Sequence, residues 1–218
     1  NTPTREVFSK YRAPVLRVAL LNVGLGVGFY TVFVYAVTFL EQVSQLSEKK
    51  ALRNNSIAMV LLLVIMPLAA RWADRHGRKV VLGVGFSLLA VTAIPLFHVM
   101  GLGIRWVTIG CEMALAVPLG LVAGAIAATN VELMPREVRC TGLAFAYNLS
   151  VGVFGGLTPM VVTWLTAYLK NPAAPGFWVA GTAAVSALTL FCWIQETREA
   201  AASGPPPAAE ASYKIPIP

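Results

Sequence analysis

The stretch Val60-Leu61-Leu62-Leu63-Val64-Ile65-Met66-Pro67-Leu68-Ala69-Ala70-Arg71-Trp72-Ala73-Asp74-Arg75-His76-Gly77-Arg78-Lys79-Val80-Val81-Leu82 decides the fold. An apolar run ends in a compact charged turn, and a second one, Val80 to Ile104, leaves it with no Asp, Glu, Lys or Arg. A bilayer core takes about 20 apolar residues per helix, and an uncharged run of about 18 is the usual mark of a spanning segment. Two such runs joined by a charged turn form a helical hairpin that crosses a membrane twice.

The same pattern continues in both directions. Uncharged runs cover Val18 to Leu40, Asn54 to Ala70, Val80 to Ile104, Trp106 to Val131 (interrupted by Glu112), Cys140 to Leu169 and Asn171 to Gln195. The 218-residue chain is 57% hydrophobic and 12% charged, with a mean hydropathy of +0.69, as expected for a lipid-embedded protein. Such runs must satisfy their backbone polar groups internally, and their length with little alternation selects helices over barrel strands. The expected fold is therefore all-α, with six transmembrane helices in one bundle.

Cations orient it. Twelve Lys and Arg fall on the face that holds both termini, among them Lys10, Arg12, Arg17, Arg71, Arg75, Arg78, Lys79, Arg136 and Arg139. Five fall on the other: Lys49, Lys50, Arg53, Arg105 and Lys170. The positive-inside bias then puts both termini in the cytoplasm. The net charge of +7 is accounted for by topology and by anionic headgroups, so no nucleic-acid partner is implied. Cys111, Cys140 and Cys192 share no ligand spacing, so neither a disulfide framework nor a metal site is expected. The first apolar run is too long for a signal-peptide core, and a start at Asn1 reads as a fragment of something longer.

Residues 1–17 read as a basic, amphipathic linker feeding the bundle at 18–195. Glu41 to Arg53 reads as a surface turn, with Ser47 and Asn54-Asn55-Ser56 as caps for the second helix. The tail, 196–218, contains Ser203-Gly204-Pro205-Pro206-Pro207 and is expected to be disordered and cytoplasmic. Gly24 with Gly28, Gly120 with Gly124, and Gly152 with Gly156 are spaced for close helix packing in lipid.

The turn Asp74-Arg75-His76-Gly77-Arg78-Lys79 resembles the loop signature of the major facilitator superfamily, with Ala70 where its first glycine is usual. Val138-Arg139-Cys140-Thr141-Gly142-Leu143-Ala144-Phe145-Ala146-Tyr147-Asn148, followed by Phe154-Gly155-Gly156-Leu157-Thr158-Pro159, is similar to helix 11 of that superfamily's metabolite:proton symporters. Those permeases carry citrate, 2-oxoglutarate, shikimate, proline or betaine. Glu132 to Arg139, and Gly28-Phe29-Tyr30 with Tyr35, are similar to the same subfamily. The resemblance covers residues 5 to about 195 and implies helices 7–12 of a twelve-helix fold. Its partner would be an N-terminal six-helix half, and residues 1–17 would end the central cytoplasmic linker.

The resemblance implies proton-coupled secondary transport of a small organic acid or zwitterionic osmolyte by alternating access, in a bacterial inner membrane, with the proton as coupling ion and no other cofactor. It also implies that Asp74, Arg75, Gly77 and Arg78 latch cytoplasmic helix ends together. Candidate substrate contacts are Asn22, Tyr30, Tyr35, Tyr147 and Asn148. Tyr35 reads first as an ordinary interfacial tyrosine, which leaves the deeper Tyr30 the better cavity candidate, and Asn148 reads equally as an interhelix hydrogen bond. Glu112 either serves as a proton or cation site or snorkels to the outer interface. Two other readings stand beside transport: a non-transporting or regulatory half, and an intramembrane hydrolase. The hydrolase is poorly supported, because His76 and His98 are the only histidines and no Gly-x-Ser-x-Gly elbow occurs.

Overall fold

The computed structural model describes residues 10–194, so most of the expected linker and the tail from Gln195 onward lie outside the described residues. Six helices are long and apolar enough to cross a membrane: α1 (Arg12–Gln42), α2 (Glu48–His76), α3 (Arg78–Met100), α4 (Arg105–Leu133), α5 (Arg136–Leu169) and α6 (Ala174–Trp193). No strand occurs among the described residues. The connections after α2 and α4 share the basal end with the start of α1 and the end of α6. The other three connections form the distal end.

Two boundaries differ from the sequence reading. Arg12 to Arg17, expected in the linker, already belong to α1, and α2 begins at Glu48 rather than after Arg53. Lys and Arg are good helix formers whose long stems reach headgroup water from inside a helix, so the loss of apolar character does not end the helix. Ser47 is the residue before α2 but its side chain makes no capping bond, and Asn54 and Asn55 sit two turns inside, buried.

Packing follows the small residues. α3 lies along both α4 and α6, α2 runs parallel to α4, and α1 packs on α6 and α5. A side chain at Gly124 would strike Ala69 and the α2 backbone, and one at Gly120 would strike Ile65. Gly85 meets Val122 and Leu121 of α4, Gly83 meets Phe191 of α6, and Gly24 meets Ser186 and Ala183 of α6. Lipid supplies no hydrophobic drive for helices to associate, so such close approach supplies the dispersion contact instead.

The third expected pair does not pack. Gly156 has open space around its missing side chain, and Gly152 has only the neighbouring Asn148 near it. Asn148–Gly155 is π-helical, with hydrogen bonds reaching one residue further than in an α-helix. Four-residue spacing therefore no longer tracks one face, and Gly155 takes over, packed on the Tyr30 ring. α1 carries a matching π-segment, Tyr30–Tyr35. Asn55 donates from Nδ2 to the Phe33 carbonyl within it, at 2.9 Å.

α2 and α5 flank the bundle. Only 22% of the apolar window of each is buried, against 67% in α1 and 56% in α4. Their outer positions are apolar, Leu63, Leu68, Leu157 and Met160 among them, as a lipid or helix neighbour requires. At the distal end Trp164 stacks on Tyr168, both exposed, in the manner of an interfacial aromatic belt.

Candidate functional site

Between α1, α2, α4 and α5 lies a cavity of about 730 Å³, running from Val18, Asn130 and Leu143 near the basal end to Tyr30 and Leu62 at mid-depth. It exists because α1 and α4 touch along their middles while α2 and α5 splay to either side. Most of its wall is apolar: Leu25, Phe29, Met66, Ile126 and Val151. Its polar groups are the Tyr30 and Tyr147 hydroxyls and the Asn130 amide. An apolar wall with a few convergent polar groups is the usual form of a small-molecule site.

The structure brings two of the five candidate substrate residues to this cavity, Tyr30 from α1 and Tyr147 from α5. Asn22 stands behind the wall, fully buried. Its Nδ2 donates to Asn130 Oδ1 at 2.9 Å, and Asn130 Nδ2 donates back to Asn22 Oδ1 at 3.1 Å. Asn130, which the sequence reading passed over, is the member of the pair that reaches the wall. An amide this deep in an apolar span needs a partner in another helix, and that is the signal that could have found it.

Tyr35 and Asn148 lie away from the cavity. Thr166 donates its hydroxyl proton to the Val162 carbonyl, so Tyr35, 4% exposed, is the donor in the 3.3 Å bond to Thr166 Oγ1 and ties α1 to α5 distally. Asn148 is exposed and donates within its own helix to the Ala144 carbonyl at 2.8 Å, beside a shallow hollow with Cys140 and Thr141. One residue past Tyr147 in a regular helix, it is turned about 100° from the cavity face.

Glu112 does not snorkel. It is fully buried in α4, as is Ala116 one turn further on. It lies about two turns distal to the level of Gly120, beyond the cavity.

At the basal end α2 and α3 are joined by Gly77 alone, whose φ of 99° suits a residue without a side chain. Arg78, in the first turn of α3, forms a close ion pair with Glu132 in the last turn of α4. Asp74 stands 4.0 Å from Arg78, at the limit of an ion pair, with its side chain 70% exposed. Lys79, absent from the expected latch, donates to the Ile194 carbonyl at 2.6 Å just past the end of α6. A cation there satisfies a helix-end carbonyl and complements the helix dipole. The turn thus joins α2, α3, α4 and α6.

Six apolar helices around an open cavity define a polytopic integral membrane protein. The sequence profile of the family described as "Sugar (and other) transporter" matches residues 1–201, and the chain belongs to that family, within the major facilitator superfamily. A citrate-proton symporter of Klebsiella pneumoniae is 33% identical over 168 residues, 76% of this chain and 37% of that protein. The proline/betaine transporter of Escherichia coli strain K12 is 28% identical over 205 residues, 94% of this chain and 41% of that one. A citrate-proton symporter of Salmonella typhi is 31% identical over 189 residues, 81% and 42% of the two chains. The chain therefore spans well under half the length of these relatives, all of them transporters by name rather than enzymes.

Proposed function

We propose that this chain is the C-terminal six-helix half of a proton-coupled secondary transporter, and that it forms one wall of a central path for a small organic acid or zwitterionic osmolyte. The observation that carries the reading is the open cavity between α1, α2, α4 and α5, flanked by the two least buried helices. A second, N-terminal six-helix bundle docked there would cover the exposed apolar flanks and close the path. Alternating access then consists of one bundle rocking against the other.

Tyr30 and Tyr147 both line the cavity and carry hydroxyl donors suited to a carboxylate, the group that citrate, proline and betaine share. Asn130 holds the wall between them, backed by Asn22. The basal end is cytoplasmic, in a bacterial inner membrane, and the charges around Gly77 and Glu132 latch it closed in one conformation.

The test is uptake of labelled citrate, proline and betaine into proteoliposomes under an inward proton gradient, with this chain alone or co-expressed with an N-terminal six-helix half. Uptake in the paired sample that collapses with a protonophore supports the reading. Binding of the two halves with no flux of any substrate supports the non-transporting alternative.

A further inference from the structure

Three buried polar residues lie outside the cavity lining. Glu112 and Asn54 are each 0% exposed and Asn55 is 8% exposed. Neither carboxylate oxygen of Glu112, neither amide atom of Asn54, nor Oδ1 of Asn55 has a hydrogen-bond partner within the described residues. The packing register brings these groups to one level. Gly120 meets Leu62 and Ile65, and Gly124 meets Met66 and Ala69. Because α2 and α4 run parallel, eight residues back from Gly120 puts Glu112 level with residues 54–57 of α2. Next to this level the small residues Ala58 of α2 and Ala116 of α4 are fully buried.

We infer that Glu112, with Asn54 and Asn55, forms a proton-binding site between the distal halves of α2 and α4, separate from the substrate cavity. A carboxylate among apolar helices is strongly disfavoured while charged and unpaired. A proton from the distal side neutralises it, and the resulting O–H has amide oxygens at its own level to receive it. No other atom is consumed or released.

The ionisable groups on the elements packed around it do not replace the proton. Lys49, Lys50 and Arg53 on α2 and His98 on α3 are exposed, and Glu41 lies at the end of α1. On α4, Cys111 is adjacent and Arg105 is about 10 Å away along the helix, its guanidinium 5.1 Å from the Trp106 ring. Asn55 also holds the Phe33 carbonyl in the π-segment of α1, so the loading of this cluster bears directly on the α1–α2 contact that lies beyond the distal end of the cavity.

The inference rests on the proton-coupled reading, but its test needs no transport. The full chain in lipid nanodiscs is examined by infrared difference spectroscopy between mildly acidic and mildly alkaline pH. A protonated-carboxyl C=O band is expected that disappears on alkalinisation and is absent in Glu112→Gln. It should move in Glu112→Asp, which keeps the carboxyl if the glutamine variant fails to fold. Asn54→Leu should shift the band to higher wavenumber by removing its hydrogen-bond acceptor, and exchanging sodium for choline at fixed pH should leave it unchanged. A band that does not titrate, that survives unaltered in both Glu112 variants, or that sodium abolishes at fixed pH overturns the proposal; the last outcome makes the cluster an alkali-cation site.

Discussion

Single side chains in this bundle divide by whether their partner lies in the same helix or in another. Asn22 and Asn130 are 108 positions apart and exchange two hydrogen bonds between α1 and α4. Asn22→Leu strands the Asn130 amide, and leaving a buried amide unsatisfied costs about 1–3 kcal/mol. Thermal unfolding in detergent should show that loss, and the double variant Asn22→Leu/Asn130→Leu should recover part of it. A single variant as stable as the parent would mean that the pair contributes nothing. The tyrosines separate in the same way. Tyr30→Phe and Tyr147→Phe should raise KM for uptake in the paired sample, because their hydroxyls line the cavity. Tyr35→Phe should leave KM unchanged and cost about 1 kcal/mol of stability, the value of one ordinary hydrogen bond lost to Thr166. In the sequence Tyr30, deeper in its span, is the better cavity candidate and Tyr35 reads first as an interfacial tyrosine. Nothing local distinguishes a tyrosine facing a cavity from one tying two helices together.

Among the elements, glycine spacing was a sound guide where the helix is regular and failed where it is not. Gly120 and Gly124 do seat α2 on α4, while Gly152 and Gly156 face open space because the π-segment Asn148–Gly155 lengthens the turn. Gly124→Leu should push α2 off α4 and destabilise the bundle by about 1–3 kcal/mol, as overpacking does. Gly156→Ala should change stability by no more than about 0.5 kcal/mol, as for substitutions away from packed sites. Denaturation of the two variants side by side in mixed micelles checks this, and equal losses would contradict the packing. The π-segment of α5 packs along α1, Gly155 on Tyr30 and Val151 on Gly26. The carbonyls of both π-segments need outside partners, and one is met by Asn55. No period of 3.6 residues predicts either segment, because a π-turn depends on what neighbouring helices offer to the displaced backbone.

For the whole molecule, the proposed latch predicts that the basal charges matter more to turnover than to stability. The Arg78–Glu132 pair joins α3 to α4, and both side chains are partly exposed, so its worth to folding is about 0–1 kcal/mol. Glu132→Gln should therefore leave the unfolding temperature nearly unchanged while lowering kcat more than it changes KM. A matched loss in both constants would argue against a latch. Orientation can be read separately: membrane-impermeant maleimide applied to right-side-out vesicles should label Lys170→Cys and spare Lys10→Cys. Labelling of both from outside would remove the positive-inside argument.

The chain by itself determined that six helices cross a bilayer with the charged turns at their ends. Those properties are local, since each span must satisfy its own backbone in lipid and each cation must reach water or headgroups within its own reach. Only the tertiary structure decided that Asn22 stands behind the cavity, that Asn130 forms its wall, that Lys79 holds the end of α6, and that Glu112 is buried rather than turned to the outer interface. Each of these depends on which face one helix shows to another far away in sequence, and no local pattern of residues encodes that choice.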